Sequence, residues 1–239
     1  MSSRRGGLGR VALLALAACL LSPGAVAQVQ VFNRHAYVGV GLGQGQGNVF
    51  DGNLSPAWME QQVAQGMGLP PGSLDGMLGR TTHELDIGGK VFVGYRFHPY
   101  GAVEAGYSNL TLSRYFKFDY QGAGTLAGTE LNGKYYASAW WIGLVGTYSL
   151  PVHPALSFYG KVGAAYTKAE FDVTGAGIPY QSNAKAYKWN PLLAIGAQYD
   201  FTPNWGARLE YESYGRIGDA STTGEVDARL ITLDVLYKH

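Results

Sequence analysis

Several things are scarce in this 239-residue chain. It has one cysteine, Cys19, and charged side chains make up only 15% of it. A lone cysteine excludes an intrachain disulfide framework and any site built from several thiolates. The longest apolar run near the start, Val11 to Leu21, is too short to span a bilayer as a helix. No phosphate-binding loop, metal-ligand spacing or cofactor signature is present, so no cofactor is expected. Gly39-Val40-Gly41-Leu42-Gly43 reads as closely packed strand rather than as a dinucleotide loop.

Residues Met1 to Ala27 have the layout of a secretory signal. Arg4, Arg5 and Arg10 form a basic start, Val11 to Leu21 an apolar centre, and Ala25-Val26-Ala27 a small-residue cleavage site before Gln28. Leu16-Ala17-Ala18-Cys19 is a competing lipoprotein box, disfavoured by the bulky Leu20 and the intact Ala25/Ala27 pair. Cleavage between Ala27 and Gln28 discards Cys19. It also removes three of 18 basic residues and no acidic one, leaving 15 against 17 and a net charge of −2. That balance implies no nucleic-acid partner.

What is abundant is glycine, 35 residues, and tyrosine, 17. Both suit strands packed closely round a lumen with aromatic belts at lipid interfaces. The clearest pattern runs from Trp189 to Tyr214. Ala207, Leu209 and Tyr211 share one parity while Arg208, Glu210 and Glu212 share the other, giving one apolar and one charged strand face. Leu193, Ile195, Ala197 and Tyr199 repeat the split against Ala194, Gly196 and Gln198, and Thr202-Pro203-Asn204 joins the two arms into a hairpin.

The same alternation predicts further strands at 37–43, 87–97, 102–110, 135–150, 156–168 and 226–237, eight in all. Short turns, as at 98–101 and 151–155, alternate with long connections at 44–86, 111–133, 169–186 and 215–225. Within 44–86, Ser55 caps a short helix that begins at Pro56 and stops at Gly68 and Pro70-Pro71. Met59, Val63 and Met67 form its apolar stripe, packed on its own loop or on the barrel rim, with a partner-binding or membrane-touching helix as the alternative.

The fold class expected is all-β: residues 28–239 form an eight-stranded antiparallel up-and-down transmembrane β-barrel, with 44–86 as a long external loop. A lipocalin-like barrel would have an apolar interior. Here Lys90, Arg96, Glu104, Lys161, Arg208 and Glu210 all lie on the less apolar parity of their strands. Charge facing hydrocarbon costs several kcal/mol, so that parity faces the lumen.

Asn190-Pro191-Leu192, Ala197-Gln198-Tyr199, Thr202-Pro203-Asn204-Trp205 and Ala207-Arg208-Leu209-Glu210-Tyr211 closely resemble strands six and seven of the OmpA-type outer-membrane barrel. Val103-Glu104-Ala105-Gly106-Tyr107 resembles its third strand and Phe158-Tyr159-Gly160-Lys161-Val162-Gly163 its fifth. These motifs are shared with opacity proteins and related small barrels. The resemblance implies a monomeric barrel with Glu104, Lys161 and Arg208 at lumen-charge positions and Gln198 in place of an acidic residue. It further implies a bacterial outer-membrane location, with membrane lipid, lipopolysaccharide and the barrel-assembly machinery as partners, and host or matrix molecules met through the loops. Two features depart from the family: the chain ends Tyr237-Lys238-His239 rather than on an aromatic residue, and Asp234 stands where a glycine is usual. No peptidoglycan-binding domain is expected after Tyr237.

Catalysis needs a nucleophile or base with an orienting partner. His35, His83, His98, His153 and His239 fall in turns, termini or a loop, and the Glu210/Glu212 pair has Arg208 beside it as an ion-pair partner. An enzyme is therefore not expected. The leading reading is a structural or surface-interaction barrel, followed by a narrow pore, with a lipid A-modifying barrel a distant third.

Overall fold

The computed structural model describes residues 35–46, 56–66, 68–70, 72–76, 78–85, 87–120, 130–176, 181–219 and 221–239. The expected signal peptide and its Ala27/Gln28 cleavage site lie outside them. The strands are β1 (Ala36–Gln46), β2 (Leu78–Leu85), β3 (Ile87–His98), β4 (Gly101–Tyr120), β5 (Glu130–Ser149), β6 (Leu156–Ala176), β7 (Gln181–Asp200), β8 (Trp205–Asp219) and β9 (Gly224–Lys238), with one helix, α1 (Pro56–Gly66). Every pairing is antiparallel, and β9 returns to pair with β1, so the sheet closes. β2 is not an extra stave. It pairs with Ser113–Tyr120 of β4, the strand whose earlier residues pair with β3, so β2 and β3 lie along one line of an eight-stave ring.

Alternation explains these strands in the half of the barrel nearest the short turns, called here the lower half. Val38, Val40 and Leu42 of β1, Val91 and Val93 of β3, and Ile142 and Leu144 of β5 are each at least half exposed, while the residues between them face the lumen. So much exposed apolar surface would be an aggregation hazard in water. On a closed ring, with every ladder bond satisfied internally, it is the surface that a bilayer covers. The short turns carry their own bonds: Trp205 donates its backbone N–H to Thr202 Oγ1 at 2.9 Å, fixing the β7–β8 turn.

Beyond this band the structure departs from the sequence reading. Strand continues through much of 111–133, 169–186 and 215–225, all expected to be loop, and 44–86 contains the end of β1 as well as β2. At about 3.3 Å per residue and a tilt of roughly 40°, a strand as long as β4, β5 or β7 stands about 50 Å high, twice the ~25 Å apolar band of a membrane barrel. The upper half therefore projects into water, where outward residues are polar and hydrophobic alternation fades, yet the ladder continues. In β8 a bulge between Ser213 and Arg216, with Gly215 at φ 64°, flips the parity. Tyr214 points in with Glu212, but after the bulge Ile217 points in and Arg216 out. A period-two reading breaks there.

The upper interior is apolar: Leu110, Tyr135, Ala137, Phe171, Val173, Ile217, Val226 and Leu230 are all buried. Outside it, Lys117 pairs with Glu130 at 2.7 Å and Lys185 with Glu170 at 3.0 Å across neighbouring strands. Val63 and Ala64 of α1 are buried members of the same apolar cluster, and Gly68, at φ 69°, follows the helix end.

Candidate functional site: the charged lumen

Across the lower half the lumen is filled by side chains from all eight staves. Lys161 of β6 has its Nζ 2.7 Å from Glu210, 3.0 Å from Glu104 and 3.2 Å from Glu212. Lys90 of β3 lies 2.7 Å from Glu210, 3.0 Å from Asp234 and 3.5 Å from Glu212. Arg208 of β8 reaches across to Glu104 of β4 at 2.7 Å and lies 3.5 Å from Glu210. Its other terminal nitrogen donates to Gln198 Oε1 at 3.0 Å, and Gln198 in turn donates to Asp200 at 2.9 Å. Three cations thus face four carboxylates, and every one of these seven side chains is buried.

Aromatic groups complete the layer. Tyr37 donates to Glu104 at 2.6 Å, and Tyr159 donates to Glu210. Trp141 donates its indole N–H to Ser108 Oγ at 2.9 Å, and the Tyr214 hydroxyl lies 2.8 Å from that oxygen and 2.9 Å from Glu212. Phe92 sits among the cations, with Lys90 at 5.3 Å, Lys161 at 5.8 Å and Arg208 at 5.2 Å from its ring centre, inside cation–π range. Lys161 lies 4.2 Å from the Trp141 ring and Arg208 4.4 Å from that of Tyr159.

Two lumen glycines make room for these rings. Gly39 faces Phe92 directly across the β1–β3 ladder, and Gly196 faces Tyr159 across β6–β7. A Cβ at Gly39 would stand 2.3 Å from the Phe92 ring, and one at Gly196 2.3 Å from the Tyr159 hydroxyl. The glycine richness of the chain here serves inward packing.

Of the seven lumen residues expected from sequence, Lys90, Glu104, Lys161, Gln198, Arg208 and Glu210 meet in this layer. Arg96 does not. It shares the parity of Lys90, but the register sets it opposite Ala102 at the short-turn end, half-buried, and it makes no ion pair among the described residues. Parity gives a side chain's direction and not its height, which is why Arg96 was misplaced. Missed as network members were Asp234, Tyr37, Tyr159, Trp141 and Tyr214, while Glu212, expected with Glu210 beside Arg208, is held by Lys90 and Lys161 instead. Asp234 carried a signal, sharing its strand's polar parity with Thr232. His83, expected in a loop, lies in β2 opposite Tyr115.

A closed antiparallel ring with an apolar band outside and paired charge inside is an integral outer-membrane β-barrel. The chain belongs to the OmpA-like transmembrane domain family, whose model matches residues 33–239. Its relatives include outer membrane protein A of Shigella flexneri, 31% identical over 160 residues, covering 66% of this chain and 41% of that protein. Outer membrane protein A of Escherichia fergusonii is 32% identical over 162 residues with the same coverage. The chain thus spans about two fifths of the length of the curated relatives it matches. Among solved structures it is similar to the N-terminal β-barrel domain of Pseudomonas aeruginosa OprF, at 10% identity and TM-score 0.45, covering 86% of this chain and 98% of that one. Ail of Yersinia pestis matches at 15% identity and TM-score 0.43, covering 85% and 99%. The family and its relatives place the protein in the bacterial outer membrane, in contact with lipid and lipopolysaccharide.

Proposed function

We propose that this barrel is a structural and surface-presenting protein whose lumen is closed, and that it does not act as a pore or as an enzyme. The observation that carries this reading is the ion-pair layer. An eight-stranded barrel is just wide enough for side chains to fill, and here Lys90, Lys161 and the four carboxylates are buried in mutual contact. An ion crossing this layer must first separate pairs whose partners have no water to replace them, at a cost of several kcal/mol each. The carboxylates that a catalytic reading would recruit are all held by lysine or arginine.

The protruding upper half supports the surface role. It carries the β4–β5, β6–β7 and β8–β9 connections away from the bilayer on a rigid strand framework, the arrangement in which loops serve recognition. In this reading the upper half is external, the short turns are periplasmic, and the barrel-assembly machinery inserts the protein as a monomer. Host or matrix molecules meet the upper rim. Purified protein in planar bilayers should show no steady single-channel conductance. Large, lasting openings by the wild type would overturn the closed lumen and favour the narrow pore.

A further inference from the structure

The outer wall made by β4, β5, β6 and β7 is not a uniform lipid face. The ladder registers set Tyr107, Trp140, Tyr166 and Trp189 in one row across four strands. Ring centres are 4.9 Å apart for Tyr107 and Trp140 and 5.2 Å for Tyr166 and Trp189. One step towards the short turns, the row is Ala105, Ile142, Ala164 and Pro191. Small residues beneath an aromatic ledge leave an apolar groove of about 620 Å³, bounded by Val93, Ala105, Ile142, Ala164, Trp140 and Trp189.

One step above the ledge, Asn109, Ser138 and Lys168 share a row, and above that Tyr136, Glu170 and Lys185. Here lies a polar hollow of about 230 Å³ that shares Tyr107 with the groove and includes Asn109, Ser138, Lys168 and Glu170 in its lining. Lys168 and Lys185 both contact Glu170 Oε1, at 2.9 and 3.0 Å. Two ammonium groups sharing one carboxylate leave a net positive charge at headgroup height. Apolar groove, aromatic ledge, hydroxyl- and amide-lined hollow and cationic rim follow one another in the order of the parts of one ligand.

We infer that this wall binds a phosphorylated, multiply acylated glycolipid of the outer leaflet, with an acyl chain in the groove, sugar hydroxyls in the hollow and a phosphate at Lys168 and Lys185. The lipid's leaflet rests on the external orientation of the upper half, while the site itself rests only on the wall. Aromatic girdles alone mark interface depth. A groove beneath the girdle with paired cations above it adds charge and shape complementarity for one lipid over the bulk.

The test is native mass spectrometry of the full chain purified from membranes. It is titrated with hexa-acylated bisphosphorylated lipid A, with the same lipid stripped of its phosphates, and with dimyristoyl phosphatidylglycerol. Lipid A should bind as one retained molecule, with the dephosphorylated form about tenfold weaker, as should lipid A on the Lys168→Gln, Lys185→Gln double variant. Ala164→Trp, which fills the groove, should weaken both forms of the lipid. Heat-shifted gel mobility verifies that each variant is folded, and Ala105→Leu replaces Ala164→Trp if that variant does not insert. Equal retention by wild type and folded variants, or phosphatidylglycerol competing as well as lipid A, would overturn the site and leave only annular lipid. Orientation is read separately, by labelling Arg216→Cys on intact cells with a membrane-impermeant maleimide. Lipid A binding without labelling would overturn the leaflet and leave the groove standing.

Discussion

The two halves of this barrel bury opposite things. In the lower half Val40, Ile142, Leu144 and Ile195 face outward and Lys90, Glu104, Lys161 and Arg208 inward. In the upper half Tyr135, Phe171, Val173 and Ile217 face inward, while Lys117, Lys168 and Lys185 are on the outside. The strands run through both without interruption, so the backbone ladder is indifferent to the choice. What changes is the solvent. Below, hydrocarbon surrounds the ring, apolar groups gain nothing by turning inward, and charges can only go into the lumen. Above, water surrounds the ring and the ordinary hydrophobic effect fills it with oil. A membrane barrel can thus stand on a lower half held by electrostatics while its upper half packs as a soluble β-barrel does.

That contrast is open to attack from several sides. The largest effect on the upper half should come from Phe171→Ala, which removes a buried ring from its core at about 3–5 kcal/mol. Its mark should be local: faster proteolysis of the upper strands with the heat-modifiable lower barrel retained. Global loss of that gel shift would mean the two halves fold as one unit. Next, Leu144→Arg should cost about 2–4 kcal/mol in lipid vesicles, whereas Ser138→Arg, above the aromatic row on the same strand, should cost about 0–1 kcal/mol. Equal costs would erase the boundary between the halves.

A smaller effect concerns acid. Hydrogen bonds from Lys168 and then from Lys185 hold the Glu170 carboxyl below its ordinary value. A carboxylate depressed by folding contributes stability that is present above its unfolded pKa and lost as pH falls through the folded one. Because the group lies half-buried at the surface between two exposed lysine chains, water and salt screen much of it. Between about pH 5 and pH 3 the wild type should lose slightly more urea resistance than Glu170→Gln, and the difference should shrink in high salt. A variant that is as acid-sensitive as the parent would remove Glu170 from the account.

The lower half was legible in the sequence for the same reason that it differs from the upper. Lipid outside and charge inside force a strict alternation, so Leu193, Ile195 and Leu209 against Gln198, Arg208 and Glu210 showed both strand and facing direction. Above the membrane the pattern weakens. Segments such as 132–133 and 183–186 place polar Asn132, Asn183 and Lys185 on the outer face and small Gly133, Ala184 and Ala186 inside, and read as loop. Gly215 then inverts the parity of β8, so the inward Ile217 fell out of step with Glu212. In the lumen itself, parity set Phe92 on the face of Lys90 and Tyr159 on that of Lys161, but nothing in the alternation said that these rings would pack among the charges. Only the register, setting Phe92 against Gly39 and Tyr159 against Gly196, shows where they find room. Height along the axis also needs the register, and Arg96 was misjudged for want of it.

The central claim is that charges in the lower lumen hold the barrel shut by holding one another. Arg208 and Glu104 test it most directly, because they join β8 to β4 across the ring at 2.7 Å. A double-mutant cycle in urea, read by intrinsic fluorescence in lipid vesicles, isolates their coupling. Arg208→Ala should cost about 3–5 kcal/mol by leaving Glu104 buried without its guanidinium, and Arg208→Ala with Glu104→Ala should recover part of that loss. Two losses that simply add would contradict the pairing and leave the lumen charges as neighbours without mutual support.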